Sequence, residues 1–228
     1  MQERTMKGTL LVLARLLDYP APELRRNMPE LHRVLRRENA LSASRQAELE
    51  VLMDVLLEMD TISAETAYVD LFDRGRRTSL HLFEHVHGDS RERGPAMLDL
   101  RQTYEEAGLE FMSGELPDFL PAVLEFVSSQ PRCEASAFLG EISHIVNALF
   151  VALMERGSAY AYVMGALLDL AGEEPRPLAL APEPTLDESW AEPEPFAGCS
   201  THGQSAPEQP VTLHFVPKGT SINSGAEK

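Results

Sequence analysis

Hydrophobic residues recur at helical spacing along most of the chain. Positions i, i+3, i+4 and i+7 fall on one face of an α-helix, and such a stripe is typical of a helix packed against a core. The predicted core-facing sets are Leu24, Met28, Leu31 and Leu35; Leu49, Leu52, Met53, Leu56 and Leu57; Ala64, Ala67, Tyr68, Leu71 and Phe72; Met97, Leu98, Leu100 and Tyr104; Leu120, Val123, Leu124 and Val127; Phe138, Leu139, Ile142, Ile145, Val146, Leu149, Phe150 and Leu153; and Tyr160, Val163, Leu167, Leu168 and Leu170. No alternating strand pattern stands out before residue 172. We therefore expect an all-α, single-domain helical bundle.

Capping residues indicate where several of these helices begin and end. Ser63 and Asp118 each precede an apolar stripe and are plausible N-caps, and Ser79 is placed to cap a short helix. Gly75 is expected to end the helix that contains Phe72, in the manner of a C-terminal glycine. Pro95 fits the first turn of the next helix, where no intrahelical hydrogen bond is lost.

The composition changes after residue 172. Nine of the 16 prolines lie in residues 173–228, together with nine acidic and three basic residues. Such a segment buries too little apolar surface to offset the entropy of ordering it. We expect residues 1–172 to form the helical domain and residues 173–228 a flexible, mostly disordered acidic tail. Trp190, Phe196 and the short run VTLHF are its isolated apolar points.

The net charge and the cysteine content exclude several classes of protein. The 228 residues carry 36 acidic and 20 basic side chains, a formal charge of −16. This charge argues against binding of nucleic acid or anionic membranes, both of which require basic patches. Two cysteines, Cys133 and Cys199, are too few for a disulfide scaffold. The apolar run TLLVLARLL is too short to span a bilayer, so we expect a cytoplasmic protein without membrane insertion.

One short segment, residues 71–94, gathers five arginines, three histidines and four carboxylates. A metal site is one interpretation, because His81 and His85 have the i, i+4 spacing that puts two imidazoles on one helix face, and Glu84 or Asp89 could complete the ligands. The HExxH order is absent, however, and a further pair in the tail, Cys199 with His202, supplies two ligands only.

A catalytic site is less well supported. Ser79, His81 and Asp73 are residue types found in nucleophilic catalysis, but close neighbours in sequence rarely form a triad. The chain contains no G-x-S-x-G elbow, phosphate-binding loop or dinucleotide fingerprint. We expect a protein that is not an enzyme and that holds no cofactor.

Two interpretations of the charged segment remain. Its charges could simply pair with one another and cap helix ends. Alternatively, Leu80, Leu82 and other apolar residues among the charges could line a peptide groove with arginines at its rim. The predicted groove residues are Phe72, Leu80, Leu82, Phe83 and Val86, and the rim arginines are Arg74, Arg76 and Arg77.

The same segment resembles the signature of a known family. Residues 68–100 read YVDLFDRGRRTSLHLFEHVHGDSRERGPAMLDL, followed by YEEAGL at 104–109 and ELPDFLPAVLEFV at 115–127, and preceded by LARLLDYP at 13–20. Together these motifs are similar to those of the assembly chaperones of respiratory nitrate reductase, the NarJ type. The resemblance covers about residues 10–170 well and the tail poorly.

The resemblance implies an all-helical cytoplasmic chaperone. Its partner would be the unassembled catalytic (alpha) subunit of a respiratory nitrate reductase, bound by the N-terminal segment and kept competent for molybdenum cofactor insertion before membrane attachment. A weak homodimer is a further expectation. The docking residues expected from the resemblance and the groove are Phe72, Arg74, Gly75, Arg76, Ser79, Leu80, His81, Phe83, Glu84, His85, His87, Arg91, Arg93 and Asp118.

One position departs from the family pattern. The expected run is Glu-Leu-Pro-Asp-His, and Phe119 stands where the histidine would be, so a role that needs an imidazole there is in doubt. Two alternatives stay open: a histidine-rich protein that carries a metal or cofactor, and a chaperone of the same fold for a different molybdoenzyme. Histidines that titrate near neutrality would make partner binding sensitive to pH.

Overall fold

The fold was obtained as a computed structural model, which describes residues 5–87, 90–109 and 116–179. Within these ranges the chain forms ten α-helices, and its only extended pairing is an isolated bridge between His81 and Phe119. The helices are α1 Lys7–Leu17, α2 Pro22–Glu38, α3 Ala43–Glu58, α4 Thr61–Tyr68, α5 Leu82–Val86, α6 Arg93–Glu106, α7 Leu120–Ser129, α8 Arg132–Glu141, α9 Ser143–Glu155 and α10 Ala161–Ala171. The all-α prediction is confirmed.

The helices pack around one apolar core. Helix α1 packs against α7 and α2, while α10 packs against α9, α8 and α3. Most of the predicted core-facing residues are buried, including the sets from Leu24 to Leu35 and from Leu120 to Val127. Leu57 and Ala67 are exposed, because they lie at the edges of their stripes. Leu98, also predicted to face the core, is 69% exposed, so that prediction is wrong.

The long apolar stripe from Phe138 to Leu153 is not one helix, as its spacing predicted. It is divided between α8 and α9, which meet at Ile142 with a bend of 63°. The His144 ring lies 3.0 Å from the Glu141 carbonyl and donates to it at the break. No single helix in the described ranges is long and apolar enough to cross a bilayer, although α8 and α9 together have the length and composition of a bent span.

All three predicted N-caps are wrong. Asp60, and not Ser63, is the N-cap of α4, and its carboxylate accepts the Ser63 N–H at 3.0 Å. Phe119 occupies the N-cap position of α7, so Asp118 does not cap that helix, and His81 rather than Ser79 precedes α5. Pro95 does lie in the first turn of α6. Short-range patterns thus locate these helices better than they identify the capping atoms.

Helix α1 is capped by a residue of α2. The Glu38 carboxylate accepts hydrogen bonds from the Gly8 N–H (3.0 Å) and the Thr9 N–H, two groups that have no acceptor within their own helix. We expect Glu38→Ala to lower the free energy of unfolding by about 1–2 kcal/mol, the usual effect of losing an N-cap. Glu38→Gln, which keeps an acceptor oxygen, should lose less. Urea unfolding followed by circular dichroism measures both, and equal losses would contradict the capping role.

After α10 the chain turns at Gly172 (φ 80°) and continues without helix to residue 179. The Asn147 side chain holds this stretch, because its Oδ1 accepts the Arg176 N–H at 2.8 Å and its Nδ2 donates to the Arg176 carbonyl at 3.0 Å. The predicted boundary at residue 172 and the flexible tail remain predictions. Trp190, Phe196, Cys199, His202 and VTLHF lie outside the described residues.

Candidate docking site around the signature segment

The signature segment, residues 68–100, begins with a change of helical pitch. Helix α4 runs directly into a π-helical turn, Val69–Asp73, which places the Phe72 ring in the core. Its centroid lies 4.8 Å from that of Tyr68 and 5.0 Å from that of Tyr160, which directly precedes α10. A single π turn inside a helix is often found at functional sites. Here it fixes the start of the segment against α10.

Gly75 allows the close approach that follows the π turn. A Cβ at this position would collide with Thr78 Oγ1 and would lie 2.8 Å from the Leu71 carbonyl oxygen. The helix that contains Phe72 ends just before Gly75, as predicted. The φ and ψ of Gly75, −98° and 102°, are open to any residue, so this is not the left-handed conformation that usually favours a terminal glycine. Glycine is needed because there is no room for a side chain. The short 3-10 turn Arg76–Thr78 then places Arg77 2.6 Å from Glu155 at the end of α9.

A short bridge joins the signature segment to the loop before α7. The Leu82 N–H donates to the Asp118 carbonyl (3.0 Å), and the Leu120 N–H donates to the Leu80 carbonyl (2.9 Å). The rings of His81 and Phe119, which face each other across the bridge, lie 5.3 Å apart. Phe119, the residue that departs from the family pattern, therefore stacks on a histidine of the signature.

The buried carboxylate of Asp118 connects three parts of the segment. One oxygen lies 3.2 Å from His81 Nδ1, and the other accepts the Phe83 N–H of α5 at 3.1 Å and lies 3.8 Å from Arg93 of α6. Arg93 also lies 3.4 Å from Glu84. Asp118 thus caps the short helix α5 from 35 residues away, instead of capping α7. We call Asp118, His81, Phe83 and Arg93 the Asp118 hub.

The hub also raises the pKa of His81 above its ordinary value of 6.5. The hydrogen bond to Asp118 is the largest cause; burial of the ring opposes it, and the Asp118 charge adds to it. A raised pKa in the folded state contributes stability that is complete below pH 6.5 and is lost as the pH rises through the folded pKa. The interaction of His81 with Asp118 should therefore weaken as the pH rises through this raised pKa.

This pH dependence can be measured with His81→Gln. We expect the difference in unfolding free energy between the unchanged protein and the variant to be largest near pH 6 and to shrink as the pH rises to about 8.5. Urea unfolding at a series of pH values gives this difference. A difference that stays constant across the range would contradict a charged His81 in the hub.

The predicted docking residues divide into three groups by exposure. Buried are Phe72, Gly75, Ser79, Leu80 and Asp118. Half-buried are His81, Phe83, Glu84, His85, His87 and Arg93. Exposed are Arg74, Arg76 and Arg91.

The apolar groove predicted from the sequence is not open. Phe72, Leu80 and Leu82 are each at most 4% exposed and form part of the core. Phe83 is half-buried and Val86 is exposed, so these two remain accessible among the five predicted groove residues. A partner reaches the others only if the segment opens.

The histidines of the segment are engaged by protein groups. His85 Nε2 lies 2.8 Å from the Ser79 carbonyl and donates to it, and the His87 ring packs edge-on against Phe83. Within residues 5–87, 90–109 and 116–179, no three side chains of His, Cys, Asp and Glu are placed to hold a metal ion. Asp89, a predicted ligand, lies outside the described residues.

Several residues around the segment have contacts or exposure that the sequence did not indicate. The Tyr104 hydroxyl donates to the Pro117 carbonyl (2.9 Å) and so anchors the last turn of α6 beside the hub. Glu155 and Tyr160 hold Arg77 and Phe72. Exposed apolar side chains also flank the hub in sequence: Val86 ends α5, Leu98 is on α6 and Leu116 precedes Pro117. We call Val86, Leu98 and Leu116 the apolar strip.

Comparison with known proteins identifies the family. The family model described as nitrate reductase delta subunit matches residues 38–164. The chain is 42% identical to the nitrate reductase molybdenum cofactor assembly chaperone NarJ of Escherichia coli K12, over 71% of this chain and 69% of that protein. It is 31% identical to the probable NarJ chaperone of Bacillus subtilis, over 70% of this chain and 86% of that protein.

A solved structure shares the fold. The crystal structure of a putative redox enzyme maturation protein from Archaeoglobus fulgidus aligns with a TM-score of 0.53 at 17% identity, covering 76% of this chain and 98% of that one. This likeness concerns the arrangement of helices alone, whereas the sequence matches establish relationship. The chain belongs to the nitrate reductase delta subunit family and, within it, to the NarJ-type molybdenum cofactor assembly chaperones.

Proposed function

We propose that this protein is the assembly chaperone of a respiratory nitrate reductase and that it acts in the cytoplasm. It binds the N-terminal segment of the unassembled catalytic subunit and keeps that subunit competent for molybdenum cofactor insertion before membrane attachment. Its role is binding and not catalysis. Family membership supports nitrate reductase as the enzyme that this chaperone helps to assemble, since the relatives are named as nitrate reductase chaperones.

The apolar strip beside the Asp118 hub is the observation that carries the docking proposal. Val86 is 53% exposed, Leu98 69% and Leu116 45%. The bridge between His81 and Phe119 and the hydrogen bond from Phe83 to Asp118 fix the start of α5, which ends at Val86, and the loop that contains Leu116. An amphipathic client helix that covers them would remove apolar surface from water without refolding the chaperone.

The exposed arginines of the segment set the direction in which the client helix binds. Arg74 forms a solvent-exposed pair with Asp70 at 2.6 Å, a type of pair that contributes little to stability. Exchanging such a surface partner for a client carboxylate costs little and fixes the client's direction. A chaperone must also release its client, so we expect affinity in the micromolar range, about −8 kcal/mol.

Calorimetric titration of the full chain with a peptide that copies the N-terminal segment of the catalytic subunit tests this proposal. We expect saturable binding that weakens about tenfold or more in Val86→Ser with Leu98→Ser, because two exposed apolar contacts are lost. Arg74→Ala with Arg76→Ala should weaken it less.

The matched control replaces exposed apolar residues elsewhere, Leu11→Ser on α1 with Met154→Ser on α9. This pair should leave the affinity unchanged. If the Val86→Ser, Leu98→Ser variant bound the peptide as tightly as the unchanged protein does, the client would bind on another surface. Absence of any binding would contradict the proposed client.

A further inference from the structure

Helix α3 has an apolar face and, opposite it, an exposed face that mixes valines with carboxylates. Its inner stripe, Leu49, Leu52, Met53 and Leu56, is fully packed in the core. The outer positions Val51, Asp54, Val55 and Glu58 repeat the same i, i+3, i+4, i+7 spacing and are all exposed. Val51 is 48% exposed and Val55 is 39% exposed. We call Val51, Asp54, Val55 and Glu58 the outer α3 face.

The charge of this region is one-sided. Residues 43–68 contain six acidic residues and one basic residue, Arg45. Arg45 is committed to Asp169, at 2.9 Å, and to Glu48. In the part of the chain that the structure describes, Asp54 and Glu58 form no ion pair. The outer α3 face therefore combines exposed valine side chains with uncompensated carboxylates.

One flank of α3 already contacts a basic helix. Helix α2 contains five arginines and packs beside α3, where Arg36 lies 2.8 Å from Glu50 and Arg25 donates to the Leu57 carbonyl at 2.6 Å. The contacts between acidic α3 and basic α2 are of the kind that a second basic helix, from a partner protein, would make with α3. The outer α3 face has no such partner among the described residues.

We propose that the outer α3 face is a docking surface for a basic amphipathic helix of a partner protein. Leucine-like side chains of that helix would cover Val51 and Val55, and its lysines or arginines would pair with Asp54 and Glu58. An anionic membrane is repelled by these carboxylates. A symmetric contact with a second copy of the chain would place the same acids against each other. The surface is separate from the signature segment, and the inference does not depend on the client proposed above.

A synthetic helical peptide of leucine and lysine at amphipathic spacing is the probe, and the same peptide with glutamate for lysine is its counterpart. Fluorescence anisotropy with the full chain at physiological ionic strength measures binding. We expect the lysine probe to bind at least tenfold more tightly than the glutamate probe. Asp54→Lys with Glu58→Lys should weaken it about tenfold, and Val51→Ser with Val55→Ser about fivefold.

The control reverses the charge of two exposed acids on another helix, Glu134→Lys with Glu141→Lys on α8. It should change the affinity for the lysine probe less than twofold, which is about the limit of the assay. An equal loss in this control would show general charge attraction and overturn the proposal. The proposal would also be overturned if the charge variant bound the lysine probe more weakly while the valine variant bound it as tightly as the unchanged protein. Sedimentation of the protein alone adds a further test: a dimer that disappears in the valine variant would assign this face to a second copy instead.

Discussion

Replacing Asp118 with alanine is expected to lower the free energy of unfolding by about 3 kcal/mol. The carboxylate is fully buried and is contacted by His81, the Phe83 N–H and Arg93. Removing it leaves two cationic groups and a backbone N–H without their acceptor, and losing one partner of a buried pair typically costs about 3–5 kcal/mol. Because His81 and Arg93 keep some access to water, we expect a loss of stability at the lower end of this range.

The expected loss has a second consequence for function. Without Asp118 the N-terminus of α5 is uncapped and α6 loses one of its contacts at Arg93, so Val86 and Leu98 are no longer held in place. We expect Asp118→Ala to weaken client binding more than Val86→Ser with Leu98→Ser does. Asp118→Asn keeps an oxygen acceptor for Phe83 and should lose only about 1–2 kcal/mol. Urea unfolding measures both variants, and a loss below about 1 kcal/mol for alanine would contradict a structural hub.

Gly75→Ala is the second change with a large expected effect. The added methyl group would lie 2.8 Å from the Leu71 carbonyl oxygen, a backbone atom that cannot move without disturbing the π-helical turn. Overpacking of this kind typically costs about 1–3 kcal/mol. We expect a loss of about 2–3 kcal/mol and a displacement of the turn that carries Arg76 and Arg77.

Gly94→Ala is the matched control, because a Cβ at Gly94 meets no atom within 4 Å and the residue lies in the first turn of α6. Alanine is the better helix former, so this variant should be neutral or slightly more stable. Thermal unfolding by circular dichroism compares the two. A Gly75 variant as stable as the Gly94 variant would contradict the close approach.

The sequence predicted what depends on local periodicity. Leu24 to Leu35 in α2 and Leu120 to Val127 in α7 are buried as their spacing indicated, because a 3.6-residue repeat specifies one helix face without reference to the rest of the fold. The family resemblance of residues 68–100 was confirmed by the comparisons. Both predictions depend on contiguous stretches of sequence.

Features that depend on distant contacts could not be predicted. The pairing of Asp118 with Phe83 spans 35 residues, and that of Arg77 with Glu155 spans 78, so neither leaves a periodic trace. The close approach at Gly75 looks in sequence like an ordinary helix stop. Phe72, Leu80 and Leu82 were predicted to line a groove because apolar residues among charges suit either a core or an interface. Only the packing distinguishes the two.

Hydrogen exchange of the full chain, with and without the N-terminal peptide of the nitrate reductase catalytic subunit, tests most directly whether the signature region is the docking surface. The predicted result is added protection in α5 and α6 around Val86 and Leu98, and in the segment from Leu116 to Phe119, with little change in α2 and α8. Protection confined to other helices, with these elements unchanged, would contradict the assignment of client docking to the signature segment.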